Sequence, residues 1–506
     1  MPGSMTAAMI KNAFKENYYG KIIMFIGGLL VVPLLVLPFY PEEIKYAPSF
    51  IMSALFCLAL GMMTGMIPRS QLAKNLPFFK KSADFQNNKN PQHQKGSLYV
   101  LLIWCYGFLI GSVPFIISGL LEPIHALFES VSGWTTTGLT VTDVTALPRI
   151  FLFYRSFMQF CGGLGFVMAV VAFMTGKQSA SLYDAENHLD RLMPNLRQTG
   201  RIIFLIYSGF LAWGILFYRI FGMELFDAVC HAMTALSTAG HTTRINSIGD
   251  YSSFPIEIIT IILMLIGASN FAVLLLLTKG KIRKIFKITE IRFMLGLLVV
   301  FIPLFAVSLA VGMNMGVGES LRNALFGVVS AFSTTGFYNM DFFTMPPFAL
   351  GLLFLLIIIG GGAGSTAGGI KLSRTYYIIR ITRENIRKRL SPHNRVITPE
   401  YNTVRGKASI DESLIADTFG FVACYVGVFI IGSLLLTLTE GCSLFDAMFE
   451  FAAALGTVGI SNGIINADTG NATLIVQMVG MTLGRLEIYV VFAAAYSGVL
   501  RLRGTA

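Results

Sequence analysis

Four of the sites at which a threonine stands two residues before a glycine share one sequence context, a short apolar segment with an alanine twelve residues before the glycine. The four glycines are separated by 102, 96 and 123 residues. This spacing is too long for a solenoid repeat and suits one small membrane module per copy. The copies are Thr135-Thr136-Thr137-Gly138-Leu139, Ser237-Thr238-Ala239-Gly240-His241, Ser333-Thr334-Thr335-Gly336-Phe337 and Gly456-Thr457-Val458-Gly459-Ile460.

Four such segments around one axis would bind a dehydrated cation through main-chain oxygens. Unwound backbone is tolerated within a membrane only where it is buried in protein or lines a wet path. Carbonyl oxygens along that path can replace the hydration shell of an ion, and glycine adopts backbone angles closed to other residues. Thr457-Val458-Gly459 matches the first three residues of the potassium-channel filter TVGYG. The alternative is that these are small residues at helix contacts.

We predict that the four Thr-x-Gly loops form a selectivity filter with K⁺ as the bound metal ion. Each loop contributes four consecutive residues. They are Thr136, Thr137, Gly138, Leu139, Thr238, Ala239, Gly240, His241, Thr334, Thr335, Gly336, Phe337, Thr457, Val458, Gly459 and Ile460.

A short apolar segment precedes each loop, with an alanine at a fixed place twelve residues before the glycine. At about 10 to 14 residues, these segments are too short to cross a bilayer. We interpret them as pore helices that enter the membrane and return. They lie near 122–134, 224–236, 318–332 and 443–455.

The composition is that of a membrane protein. Of 506 residues, 54% are hydrophobic and only 13% charged, against about 25% charged in soluble domains. The six cysteines form no Cys-x-x-Cys pair and are interpreted as small hydrophobes in helix packing. The net charge of +11 is concentrated in a few loops, which indicates membrane orientation and argues against nucleic-acid binding.

The pattern predicts an all-α polytopic membrane protein with an N-terminal two-helix hairpin and four membrane-pore-membrane repeats. The repeats are expected in a pseudo-four-fold arrangement around one central pore. The predicted divisions are 1–97 (hairpin and cytoplasmic loop), 98–200, 201–292, 293–412 and 413–506 (modules 1 to 4). The hairpin runs are near 21–40 and 50–68, and the second helices of the modules are near 149–174, 255–278, 347–380 and 472–500.

Basic residues fall unequally on the two sides of this topology. The only lysine and arginine residues in the predicted outer loops are Lys45, Arg149, Arg244 and Arg322. The inner loops contain basic runs such as 279–284 and 383–389, and the link 69–97 is also basic. Positive residues stay on the cytoplasmic side, so both termini are expected to be cytoplasmic.

A glycine-rich run interrupts the second helix of module 3. Each glycine costs about 1 kcal/mol against alanine in a helix, so we predict a broken helix below the filter. The alternative is a kink for packing. The residues singled out here are Gly360, Gly361, Gly362, Gly364, Gly368, Gly369 and Lys371 of this run, and Arg485 of the last apolar run.

Charged side chains within the apolar segments need partners or a wet cavity. Arg485 is expected to face the pore, or alternatively to pair with Glu487. Glu129, His231 and Glu450 occupy one slot, nine residues before a filter glycine. They either concentrate cations or hydrogen-bond the pore helices. Further predictions concern six other side chains. Arg155 and Arg219 are expected to snorkel from helix ends, His241 to be a structural histidine rather than a pH sensor, and Asp143, Asp250 and Asp341 to be outer-side charges that either attract cations or are ordinary solvated residues.

These features resemble the Trk/Ktr/HKT superfamily of potassium transporters over nearly the whole chain. The extra hairpin makes the chain more similar to the bacterial Trk-type membrane subunit than to the shorter Ktr type. The resemblance implies that Gly138, Gly240, Gly336 and Gly459 favour K⁺. Plant relatives with serine in the first loop tend to pass Na⁺, so Gly138 argues for K⁺. The fourth loop departs most, with Gly456 where the others have serine or threonine, and we expect fewer ligands from it.

The resemblance also implies a gate and partners. The glycine-rich run corresponds to an intramembrane gating loop, and Arg485 to an electrostatic barrier beneath the filter. The family works as a homodimer docked on a cytosolic, nucleotide-binding regulatory subunit. The basic segment 371–407 is where such a subunit could bind. Nucleotide is therefore expected only on the partner, with membrane lipid as the other contact.

We therefore expect K⁺ uptake by a multi-pass protein in the cytoplasmic (inner) membrane of a prokaryote. No enzyme activity and no covalently bound cofactor are expected, since we find no nucleotide motif, His-rich metal set or activated nucleophile. The alternative is a secondary transporter of another cation, Na⁺-coupled or Na⁺-selective. Such a transporter needs a midplane site at broken helices, and only one strongly broken helix is predicted.

Overall fold

The computed structural model describes residues 18–66, 91–164, 196–341, 344–390 and 399–502. The regular secondary structure within these residues is helical apart from one two-stranded hairpin, β1 (Glu400–Thr403) and β2 (Gly406–Ser409), which are antiparallel. Both chain termini, most of the predicted loop 69–97 and the second helix of module 1 beyond residue 164 lie outside the described residues.

The N-terminal hairpin consists of α1 (Tyr18–Leu29) and α2 (Ala47–Met66). Two 3₁₀ helices connect them, Val32–Val36 and Pro41–Tyr46. The first run was expected to be helical to residue 40, but α1 ends earlier. Pro33 lacks an N–H group and its ring clashes with the preceding turn, which disfavours an α-helix, and the chain continues here as a 3₁₀ helix.

The four segments predicted to be pore helices are separate short helices, each between two other apolar helices. Module 1 contains α3 (Pro91–Ile117), α4 (Pro123–Trp134) and α5 (Arg149–Gly163). Module 2 contains α6 (Leu196–Ile220), α7 (Leu225–Leu236), α8 (Phe254–Gly267), α9 (Phe271–Thr278) and the short α10 (Ile282–Ile285). Module 3 contains α11 (Thr289–Met313), α12 (Val317–Phe332), α13 (Pro347–Ile359) and α14 (Leu372–Arg389). Module 4 contains α15 (Glu412–Glu440), α16 (Leu444–Leu455), α17 (Asn471–Arg485) and α18 (Ile488–Leu502).

The pore helices α4, α7, α12 and α16 form the centre of the molecule. Their repeated alanines are fully buried: Ala126, Ala228, Ala324 and Ala447. The outer helices present large apolar side chains on their surface, as α11 does with Val299, Val307 and Val311. Within the described ranges, five helices are long and apolar enough to span a bilayer, and up to seven if each bent pair is one span. The protein is therefore a multi-pass membrane protein.

Helix breaks are more frequent than the sequence predicted. The pair α8 and α9 is bent by 117°, and the pair α17 and α18 by 104°, in addition to the break in module 3. The prediction of only one strongly broken helix is wrong. At the ends of α5, α8 and α17, respectively, Gly162, Gly267 and Gly484 face the last carbonyl of a pore helix. A Cβ there would come within 3.0 Å of Trp134, Leu236 and Leu455 respectively, so glycine allows each second helix to end against its pore helix.

Candidate ion-conduction site

Each pore helix ends in the same turn. In module 1, Thr137 N donates to Ser132 O at 3.0 Å and Thr136 N donates to Gly133 O at 3.2 Å. This is the Schellman pattern, which needs a left-handed residue and usually has glycine there. Here the left-handed residue is a threonine in all four loops, with φ between 50° and 57°: Thr136, Thr238, Thr334 and Thr457. A β-branched residue is strained in this region. Threonine therefore carries a conformational cost at all four positions.

The four filter glycines lie in one closed ring. Each has φ between 74° and 90°. A Cβ added to any of them would come within 3.0 Å of a carbonyl oxygen from the residue before the next module's glycine, closer than real Cβ atoms approach. That oxygen belongs to Ala239 for Gly138, Thr335 for Gly240, Val458 for Gly336 and Thr137 for Gly459. The order of modules around the axis is therefore 1-2-3-4, and module 1 lies opposite module 3.

Gln159, on α5, holds the second loop in place. Its Nε2 donates to Ala239 O at 2.8 Å, and its Oε1 accepts from His241 N at 3.1 Å. The side chain is fully buried. The sequence analysis missed this residue, although an amide within an apolar helix was a usable signal. His241 itself is buried within the filter loop, in a place consistent with a structural histidine.

Glu129 and Arg155 form a buried ion pair behind the first loop. Arg155 Nε donates to Glu129 Oε2 at 2.8 Å, and Glu129 Oε1 accepts from Val141 N at 2.8 Å. Arg155 is 1% exposed, so the prediction that it snorkels is wrong. It lies in mid-helix facing inward, where a charge requires a partner. Glu129 thereby connects α5 to the chain that leaves the first loop.

The other two residues of that slot also make hydrogen bonds. Glu450 accepts from Asn462 N at 2.9 Å, three residues beyond its filter glycine, and His231 Nδ1 is bonded to Asp227 O at 2.8 Å. Of the two roles left open for the slot, hydrogen bonding is therefore present in all three copies. In modules 1 and 4 it positions the chain just after the filter.

Outer arginines are paired with carboxylates. Arg149 pairs with Glu224 at 3.2 Å, Arg244 with Asp227 at 2.7 Å, and Arg322 with Glu257 at 2.8 Å. Each carboxylate offsets the positive charge of its arginine.

Asp143 lies in the loop that follows the first filter segment. The hydroxyl and the backbone N–H of Thr145 both donate to it, and these bonds lower the pKa of the carboxyl group. Asp143 therefore keeps its negative charge at neutral pH. Both predicted roles, attraction of cations and ordinary solvation, stay open.

The predicted gate residues lie in a folded loop, called here the glycine-rich loop (360–371). Gly360, Gly364 and Gly369 all have positive φ, from 66° to 76°. The two ends of the loop return to each other, because Ile370 N donates to Ile358 O and Lys371 N to Ile359 O, both at 3.0 Å. The chain therefore leaves α13, makes a closed excursion and re-enters a helix at α14.

The break between α8 and α9 binds one side of the glycine-rich loop. Gly362 N donates to Ala268 O at 2.9 Å. Asn270 Nδ2 donates to Ala363 O at 2.6 Å, and Glu290 Oε1 accepts from Ala363 N at 2.7 Å. Glu290 and Asn270 were both missed from sequence. They satisfy peptide groups that a loop at membrane depth must have paired.

The other side of the loop contacts the filter. Gly368 N donates to Thr334 Oγ1 at 2.8 Å, and the hydroxyls of Thr366 and Thr238 share a bond of 2.9 Å. Two of the four left-handed threonines are thus bonded to the glycine-rich loop. This gives a physical reason for threonine at a strained position: its hydroxyl reaches the inner end of the ring.

Arg485 lies at the end of α17 and touches the same loop. Its guanidinium donates to Thr366 O at 2.8 Å and also to Gly162 O at the end of α5. Glu487, the alternative partner considered above, accepts from Arg374 on α14 at 2.7 Å. Lys371 donates to Ala367 O within the loop. The predicted gate residues are therefore close together beneath the ring of glycines.

Comparison with known proteins places these features in one family. The family model TrkH, described as a cation transport protein, matches residues 78–498. The potassium uptake protein TrkH of Halomonas elongata is 30% identical over 490 residues, covering 93% of this chain and 96% of that protein. The Escherichia coli K12 protein of the same name is 28% identical over 486 residues, covering 93% and 95%. The crystal structure of the potassium transporter TrkH from Vibrio parahaemolyticus matches with a TM-score of 0.80 and 26% identity, covering 95% of this chain and 98% of that one. The chain therefore belongs to the TrkH family of cation transport proteins.

Proposed function

We propose that this protein takes up K⁺ through the ring formed by Gly138, Gly240, Gly336 and Gly459. The observation that carries the proposal is the cyclic contact between each glycine and the next module's carbonyl oxygen. Such a ring offers oxygens on all sides of an axis, as replacement of a hydration shell requires. The names of the relatives, potassium uptake proteins of the Trk system, support K⁺ as the ion.

The four loops contribute unequally to this filter. Glycine at position 138 favours K⁺ over Na⁺ by the family resemblance. The fourth loop has no hydroxyl at Gly456 or Val458, so it offers fewer side-chain ligands than the first. A Na⁺-selective or Na⁺-coupled transporter remains the second candidate. The additional bent helices favour it, since broken helices are where such transporters bind their ions.

The glycine-rich loop is proposed to close the path below the filter. It fills the space under Thr238 and Thr334, and Arg485 brings a positive charge to the same place. Opening requires the loop to leave these contacts. The hydrogen bonds to Ala268 and Asn270 then determine the balance between closed and open states.

Regulation is proposed to come from the cytoplasmic side. The helix α14 carries Arg380, Arg383 and Arg387 and begins at the end of the glycine-rich loop. A cytosolic nucleotide-binding subunit that bound this helix could therefore pull on the loop. The multicomponent Trk system named for the relatives supports such a partner. The homodimer, the inner-membrane location in a prokaryote and the cytoplasmic termini remain proposals from the family resemblance and the charge distribution.

Reconstitution into lipid vesicles tests the proposed function. The full chain is inserted into vesicles loaded with K⁺, and uptake of ⁸⁶Rb⁺ is measured against vesicles loaded with Na⁺. We expect uptake to be inhibited by external K⁺ and much less by the same concentration of Na⁺. Equal inhibition by both ions would favour the Na⁺ alternative. Absence of ⁸⁶Rb⁺ uptake by folded protein would contradict the proposal.

Asn270 offers a test of the loop contacts. Replacement with serine keeps an oxygen that can cap α9, where Asn270 accepts from Ala272 N, but removes the amide Nδ2 that donates to Ala363 O. One lost hydrogen bond of about 1 kcal/mol is expected to raise basal ⁸⁶Rb⁺ flux about fivefold. Ser269→Ala is the matched control, because that hydroxyl bonds to Leu265 O in its own helix. If the flux of the Asn270→Ser variant equals that of wild type, the hydrogen bond from Asn270 to Ala363 O does not help to keep the glycine-rich loop closed.

A further inference from the structure

The filter loops repeat with two-fold rather than four-fold chemistry. Six residues before the filter glycine, modules 1 and 3 have serine, whereas modules 2 and 4 have threonine and alanine. The residue immediately before the glycine follows the same alternation, because it carries a hydroxyl only in modules 1 and 3. The residues six before are Ser132, Thr234, Ser330 and Ala453, and the residues one before are Thr137, Ala239, Thr335 and Val458.

The two serines make the same bond in opposite modules. Ser132 Oγ donates to Leu139 O at 2.6 Å, and Ser330 Oγ donates to Phe337 O at 2.6 Å. Both serines are fully buried. In each case the acceptor is the first carbonyl after the filter glycine. The bond therefore ties the outer end of the loop to the pore helix behind it.

The remaining two modules lack this bond. Thr234 donates back to its own helix, to Cys230 O at 3.2 Å and His231 O at 3.3 Å. Ala453 has no hydroxyl. A second hydroxyl pair reinforces modules 1 and 3: Thr135 with Thr137, and Ser333 with Thr335, both at 2.8 Å. The loops of modules 1 and 3, which lie opposite each other in the ring, thus each have two hydroxyl hydrogen bonds that the loops of modules 2 and 4 lack.

A carbonyl oxygen has two lone pairs. An oxygen that accepts a hydrogen bond from the pore helix through one lone pair can therefore still present the other to an ion. The serine bond limits how far that oxygen can move toward the axis. Na⁺ is smaller than K⁺ and needs shorter contacts to its ligands. Two opposed oxygens that cannot move inward would therefore disfavour Na⁺ while leaving the wider K⁺ coordination in place.

We propose that Ser132 and Ser330 are positioning residues that set the preference for K⁺ over Na⁺, by fixing the carbonyl groups of Leu139 and Phe337. The inference rests on the proposed function of the ring as a cation filter. It assigns the discrimination to the outer end of two opposed loops, in addition to the glycines themselves.

The test compares Ser132→Ala, Ser330→Ala and the double variant in vesicles. The readout is a ratio of two concentrations: the concentration of Na⁺ that halves ⁸⁶Rb⁺ uptake, divided by the concentration of K⁺ that halves it. Each single variant is expected to lower the K⁺ preference about fivefold, for a bond of about 1 kcal/mol, and the double variant to lower it further. A loss of folded protein lowers uptake with all ions equally and leaves this ratio unchanged. Alanine occupies the same slot in module 4 as Ala453, so the substitution suits a pore helix.

Control variants separate this proposal from the filter itself. Thr234→Val removes a hydroxyl in the same slot that does not reach a filter carbonyl, and the ratio is expected to stay as in wild type. If either alanine variant does not fold, Ser132→Cys and Ser330→Cys, which keep a weak donor, should give intermediate ratios. An unchanged ratio in the serine variants, together with a changed ratio in Gly336→Ser, would overturn the positioning role and leave the filter intact. An unchanged ratio in Gly336→Ser as well would overturn both proposals.

Discussion

Replacing Gly336 with serine is expected to lower K⁺ uptake at limiting K⁺ by roughly 100-fold. The backbone at Gly336 has φ +81°, and the added Cβ would collide with the carbonyl oxygen of Val458. An L-residue in the left-handed region costs about 1–2 kcal/mol, and one displaced ion ligand costs about 1.5–3 kcal/mol. A total near 3 kcal/mol corresponds to about two powers of ten. The measurement is K⁺-dependent growth and ⁸⁶Rb⁺ uptake in a K⁺-requiring bacterial strain.

Gly351→Ser is the matched control for this variant. Gly351 lies on α13 of the same module, has nothing within 4 Å of an added Cβ, and has no positive φ. It is expected to retain uptake within about twofold of wild type. Normal uptake and selectivity in Gly336→Ser would show that the third loop does not line the conduction path.

Replacing Arg485 with glutamine is expected to raise basal K⁺ flux by up to about 100-fold. Two like charges about 6 Å apart repel by about 3 kcal/mol at an effective dielectric constant of about 20, and removal of that barrier changes the rate by about that factor. The substitution also weakens the bond to Thr366 O that holds the glycine-rich loop. The measurement is ⁸⁶Rb⁺ flux in vesicles that contain this chain alone.

Arg485→Lys distinguishes the two contributions. It keeps the positive charge but loses the fork of donors that bridges Thr366 and Gly162. A flux near wild type in the lysine variant would assign the barrier to charge, and a flux as high as in the glutamine variant would assign it to the loop contact. A glutamine variant that conducts no better than wild type would contradict any role of Arg485 in closing the path.

The repeats were predictable because the residues that specify each one lie close together in the sequence. A pore helix has a short apolar segment followed by Thr-x-Gly, and the structure ends each of these helices two residues before the threonine of that motif. The resemblance to the Trk superfamily is confirmed by the match to the TrkH family. The ring itself was inferred only from the number of copies. The contact between Gly459 and Thr137 joins residues more than 300 positions apart, and no local pattern reveals it.

The helix breaks and the buried charge were not predictable in the same way. The break between α8 and α9 contains no glycine, although α8 ends at Gly267, and the glycine-rich loop binds its peptide groups. Arg155 resembles any arginine near a helix end until Glu129 is placed beside it. In both cases the outcome depends on a partner from another module, which is tertiary information.

The most direct test of the account is a structure of the protein grown or frozen in Rb⁺ or Tl⁺ and examined for anomalous scattering. We expect one or more ion peaks on the axis enclosed by Gly138, Gly240, Gly336 and Gly459, at bonding distance from carbonyl oxygens of more than one module. An empty axis, with bound ions located elsewhere in a transporting protein, would contradict it.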